Sequence, residues 1–202
     1  MTNDPIVVAD AGPLIRLAAA GLLDAIRLTN RRVVLVDRIE DEVCGDPAKP
    51  FAVEILSWIS RMNGAIERAG TVEGAGVAAL RAQAASDEDR QALKRKLRNS
   101  GERAIREYIE SFRPADADSA LVLYEDSAVP ALMAAASVSM TLMSTRAFAR
   151  MIAERGYNAD AVTALEATAA QFSLKPAIST IIEANAFVQE DDLPGRDGGP
   201  PP

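Results

Sequence analysis

Four short apolar runs, Ile6–Ala9, Val33–Val36, Ala120–Tyr124 and Val138–Met143, punctuate this chain, and stretches of helical periodicity separate them. Runs with so little polar character have no face to offer to water, so they predict strands covered on both sides. Parallel strands need long crossovers, and the intervening helical segments supply them. The pattern therefore predicts an α/β fold in which helices wrap a parallel sheet. Sites in such sheets lie beyond the carboxyl ends of the strands. Three of the four runs end in acids: Asp10 after the first, acidic residues after Val36, and Glu125-Asp126 after Tyr124.

Between the runs, Pro13 opens a helix with Leu14, Ile15, Leu17 and Ala18 on its apolar positions, and Gly21 breaks it from a second short helix. Phe51 to Met62 reads as helical, and Ala65 to Val72 has room for a short strand. Ser86-Asp87-Glu88-Asp89 caps a helix that turns strongly basic at Lys94-Arg95-Lys96-Leu97-Arg98. After Asn99-Ser100-Gly101 an amphipathic helix resumes at Glu102. Beyond the fourth run, Ala147–Arg155, Ala159–Phe172 and Pro176–Phe187 are read as helices. One domain over residues 1–188 is expected, followed by an acidic, Gly/Pro-rich tail at 189–202 read as disordered.

Composition restricts the chemistry. The chain of 202 residues has no histidine, which excludes Ser-His-Asp and Cys-His catalysis and the histidine zinc sites. Cys44 is the single cysteine, so no internal disulfide can form, in keeping with a reducing cytoplasm. Neither a signal peptide nor an apolar stretch of membrane-spanning length is evident, and no membrane association is expected. The net charge of −7 argues against a broad nucleic-acid-binding surface, so any such site must be local. Lys94, Arg95 and Lys96 form the densest positive cluster and are the candidates for phosphate contacts, together with Arg146. Gly74-Ala75-Gly76-Val77-Ala78-Ala79 matches the outline of a dinucleotide-binding turn. It follows no strong strand, however, and lacks the acidic partner such a site needs.

Asp10, Glu42, Glu102 and Asp126 each fall at a strand end or early in a helix opening onto the same edge. Four like charges in one cleft repel unless protons or a cation neutralise them. Mg²⁺ or Mn²⁺ is the natural neutraliser, since both take oxygen ligands and promote attack of water on phosphodiesters without histidine.

These residues also carry a family resemblance. Asp10-Ala11-Gly12-Pro13-Leu14-Ile15, with Leu17-Ala18 and Gly21-Leu22-Leu23 after it, resembles the opening motif of PIN-domain proteins. Val36–Val43, with its acid at Glu42, resembles the second motif, and Gly101-Glu102-Arg103-Ala104-Ile105 the Gly-Glu form of the third. Leu123-Tyr124-Glu125-Asp126 and Ser144-Thr145-Arg146-Ala147-Phe148 complete an ordered set covering residues 6–156. The resemblance implies a three-layer α/β/α sandwich, Mg²⁺- or Mn²⁺-dependent cleavage of RNA, and Asp10, Glu42, Glu102 and Asp126 as catalytic and metal-binding residues. It also brings kinship in fold to flap-type nucleases and in kind to the VapC toxins, and with them an antitoxin partner and a homodimer as expectations.

The chain departs from the commoner pattern in two places. Many members have Asp where Glu102 stands, and many have an acid near Thr145, where this chain has Ser144, Thr145 and Arg146. A second register makes Asp126 the third acid and leaves the fourth absent, and Glu125 and Asp118 stand as substitutes. The expected function is a metal-dependent endoribonuclease; the alternative is a catalytically inactive PIN-like module that binds RNA or protein.

Overall fold

The computed structural model describes residues 5–62, 64–111, 120–126, 129–134, 140–172 and 180–184. Six strands form one sheet: β1 (Ile6–Ala9), β2 (Arg32–Val36), β3 (Ile66–Ala69), β4 (Ala120–Tyr124), β5 (Met140–Ser144) and β6 (Ile181–Ala184), in the order β3-β2-β1-β4-β5-β6. All neighbours are parallel except β5 and β6. Between them run α1 (Ala11–Ala19), a 3-10 helix (Leu23–Thr29), α2 (Asp37–Cys44), α3 (Ala52–Arg61), α4 (Val72–Gln83), α5 (Asp87–Leu97), α6 (Ser100–Glu110), α7 (Val129–Met133), α8 (Thr145–Glu154) and α9 (Ala161–Gln171). Helices flank the sheet to give a three-layer α/β/α sandwich.

The centre of the sheet is as dry as its sequence implies. Successive residues of a strand point to opposite faces, yet Val7, Val8, Val122 and Leu123 are all fully buried. Both faces of β1 and β4 are thus covered, and one contiguous apolar core runs through Leu14, Leu17, Ile39, Trp58, Ile105 and Phe148. At the β3 edge the composition changes. Glu67 accepts from Arg32 and from the Tyr108 hydroxyl, so this strand is tied to β2 and α6 by charge and hydrogen bonding in addition to the apolar packing of Ile66 and Ala69.

Local signals set the element boundaries. Gly21 takes φ +67°, a left-handed turn between α1 and the 3-10 helix. Ser86 and Asp89 make a reciprocal capping box at α5, and Ser144 caps α8.

One expected helix is corrected. Within Pro176–Phe187 the described part, Ile181–Ala184, is a strand antiparallel to β5, with Met143 opposite Ile181. Adjacent β-branched Ile181 and Ile182 suit an edge strand, and the edge of β5 away from β4 offers backbone partners there. The tail at 189–202 and Asp118 lie outside the described residues, as do Val138 and Ser139 of the fourth run. Among the described residues no helix is long and apolar enough to cross a membrane.

Candidate functional site

The strand order reverses at β1: the chain moves outward through β2 and β3, then returns to place β4 on the other side of β1. Crossovers leaving in opposite directions open a crevice beyond the carboxyl ends of β1 and β4. Asp10 is the first residue after β1, and its backbone N–H continues the ladder by donating to the Leu123 carbonyl at 3.0 Å. Glu125 and Asp126 are the first residues after β4.

Asp10 is only 8% exposed. Its carboxyl is pushed up to about 7, first by loss of hydration, then by the charge of Glu102, with smaller contributions from Glu42 and Asp126. A hydrogen bond from the Ala11 N–H works in the opposite direction. The three acids acting on Asp10 are the same three that the sequence grouped with it. Glu42 is more accessible, yet lost hydration and then Glu102 raise its carboxyl too, while Arg38 and Lys49 oppose the rise.

Close packing of α6 on α2 brings these acids together. Glu102 sits in the first turn of α6, directly after Gly101. A Cβ on Gly101 would lie 2.8 Å from Ile39 Cδ1, 3.3 Å from Glu42 Oε2 and 3.7 Å from Asp10 Oδ1. Two of the carboxylates therefore reach toward one point, which only a glycine leaves open. Arg38 locks the same junction. Its buried guanidinium donates to Ser100 Oγ through Nε and Nη2, at 3.2 and 3.0 Å, and pairs with Asp41 through Nη1. Asp41 also receives Arg81 from α4, and Lys49 Nζ donates to the Glu42 carbonyl at 2.5 Å. Asp41 is thus a bridging residue, held below the usual carboxylate range by its two arginines.

Glu125 and Asp126 divide their tasks. Asp126 is exposed and acts on Asp10, whereas Glu125 turns inward and pairs with buried Arg16 of α1, Nε to Oε2, at 2.9 Å. Gly12 allows this, since a Cβ there would come within 2.9 Å of Glu125 Cβ. Burial raises the Glu125 carboxyl while Thr145 and Arg16 pull it back. Even so, Glu125 Oε1 and Thr145 Oγ1 complete no hydrogen bond of good geometry. Sequence reasoning missed Arg16, Arg38 and Ser100, because a lone Arg or Ser carries no local sign of burial.

The remaining candidates sit elsewhere. Arg146 pairs with Glu166 of α9 at 2.6 Å. Lys94, Arg95 and Lys96 occupy the exposed last turn of α5. The Gly74 turn has a structural explanation. Thr71 caps α4, and the Val72 and Glu73 N–H groups donate to the Glu107 carboxylate at 2.5 and 2.9 Å. Gly74 packs on Asp37, whose carboxylate accepts from the Thr71 N–H and hydroxyl. A protein carboxylate thus fills the place where a nucleotide phosphate would bind.

The donors at the cleft are all carboxylate oxygens, a set suited to a hard divalent cation rather than a thiolate-seeking one. The raised Asp10 carboxyl reflects burial first and then the negative charges of Glu102, Glu42 and Asp126 around it. Among the described residues no three such side chains close around one point as a ready-made ligand set. Neither family models, curated proteins nor solved structures match this chain.

Proposed function

We propose that this protein is a Mg²⁺- or Mn²⁺-dependent endoribonuclease of the PIN-domain kind. The observation that carries the reading is the placement of Asp10 at the switch point of the sheet, with the charges of Glu102, Glu42 and Asp126 all acting on it. Asp10 and Asp126 are the principal candidates to hold the cation, with Glu42 and Glu102 as further ligands or groups that orient water. A divalent ion held there supplies a Lewis acid for attack of water on a phosphodiester and for the departing oxygen. The chain's own part is to keep the acids gathered, through Gly101 and Arg38 on one side and the Arg16–Glu125 pair on the other.

The test is cleavage of RNA by the purified full chain. With Mn²⁺ present, wild type is expected to cleave, EDTA to stop it, and Asp10→Asn to abolish it while the circular dichroism spectrum stays unchanged. Metal-dependent cleavage retained by Asp10→Asn would sink the assignment.

A second reading, a non-catalytic module whose cleft only binds RNA or protein, draws on the absence of an acid at Ser144, Thr145 and Arg146. It would be favoured by no cleavage of any RNA together with no Mn²⁺ binding in the millimolar range. The resemblance adds an antitoxin partner and a homodimer to this proposal, and the single cysteine adds a reducing, cytoplasmic location.

A further inference from the structure

The segment between α2 and α6 ends in a turn of positive charge that directly precedes α6, the helix carrying Glu102. Lys94, Arg95 and Lys96 make up the last turn of α5 and Arg98 follows it; all four are exposed. The chain has 29 acidic residues against 22 basic ones, so partners are plentiful. The other arginines of α4, α5 and α6, namely Arg81, Arg90, Arg103 and Arg106, each hold a carboxylate. Lys94, Arg95, Lys96 and Arg98 hold none among the described residues. Four like charges in so short a stretch repel one another, and an external anion would relieve that repulsion.

The turn is also fixed in place. Arg103 donates to the carbonyls of Lys96 and Arg98, each at 2.9 Å, and to Glu73 Oε1 at 2.6 Å. It thereby satisfies carbonyls that a helix end leaves without partners. Arg103 directly follows Glu102, so a single guanidinium ties the basic turn to the helical turn carrying one of the cleft's acids. Arg98 precedes Glu102 by four residues, a span of at most about 14 Å.

An acidic centre followed by a tethered turn of cations that hold no carboxylate among the described residues suits a polyanionic chain: one phosphate meets the centre and its neighbours meet the turn. Asp10 is buried just beyond the end of β1, a position that a single strand can approach by bending its backbone more readily than a rigid duplex. We propose that Lys94, Arg95, Lys96 and Arg98 form a phosphate-binding arm that seats single-stranded RNA beside the bond held over Asp10. This inference rests on the ribonuclease reading for its choice of ligand.

The experiment measures binding of a labelled single-stranded RNA by fluorescence anisotropy across a KCl titration. It uses the full chain carrying Asp10→Asn, with and without K94A, R95A, K96A and R98A together. Exposed positions at a helix end tolerate alanine, and circular dichroism checks the fold. Four phosphate contacts on a single strand contribute about 3 to the slope of log affinity against log salt, so the arm variant is expected to lose about that much. An unchanged slope overturns the proposal, as does displacement of the RNA by polyglutamate at equal charge, which would mark a site for acidic protein. The two readings fail separately. A lost slope without wild-type cleavage leaves the arm standing and removes the nuclease. Cleavage with an unchanged slope does the reverse.

Discussion

Asp10 is kept in an environment that disfavours its own charge. Its carboxyl titrates near 7 in the folded chain against 3.8 for a free aspartate, so between those values the folded state holds a proton that the unfolded state has released. In cation-free solution this contribution to stability is fully present below pH 3.8 and is lost as pH rises through about 7. The full difference is on the order of 4 kcal/mol. Asp10→Asn, which cannot ionise, is expected to be more stable than wild type in EDTA at pH 8, and the advantage should shrink toward pH 4. Urea unfolding at both pH values checks this; an advantage that grows toward low pH would contradict it. Arg16 and Glu125 make the opposite case, a buried pair that is worth most while intact. Arg16→Ala strands a buried carboxylate and is expected to cost about 3–5 kcal/mol in urea unfolding at pH 7. Arg16→Met with Glu125→Leu should recover most of that loss.

Among the elements, α2, α4 and α6 meet at contacts too close for an added methyl group. A Cβ on Gly74 would fall 1.9 Å from Asp37 Oδ2, the carboxylate that holds Thr71 at the start of α4. Gly74→Ala is therefore expected to destabilise by about 1–3 kcal/mol although alanine favours helices, while Gly76→Ala, with open space around it, should be neutral or stabilising. Thermal unfolding of the two variants separates packing from propensity. The strands and most helices were legible in the sequence because apolar runs and helical spacing are local properties, and the grouping of Glu102 with Asp10 followed from motif order. The lock on α6 was not legible: Arg38 and Ser100 are 62 positions apart, and only the folded chain shows that the arginine is buried. Nor was β6, because a pair of isoleucines suits a short strand or a buried helix equally well.

For the molecule as a whole, the sheet order puts Asp10, Glu125 and Asp126 at the point where crossovers diverge, and the basic turn of α5 directly precedes the helix that carries Glu102, in a chain of net charge −7. Repulsion from the rest of that charge should make binding of RNA weak and strongly salt-dependent, confined to the arm. Under the proposed function, divalent cations would act on the same charge from the other side. The gathered acids are expected to bind one, and in doing so to cancel the repulsion that adds to burial in raising Asp10. The most direct test is a Mn²⁺ titration of the full chain, followed by electron paramagnetic resonance at pH 8, for wild type and Asp10→Asn. Saturable binding by wild type, weakened about tenfold or more by Asp10→Asn, is the predicted result. Equal binding by both, or none by wild type at millimolar Mn²⁺, would contradict a cation centre built on Asp10.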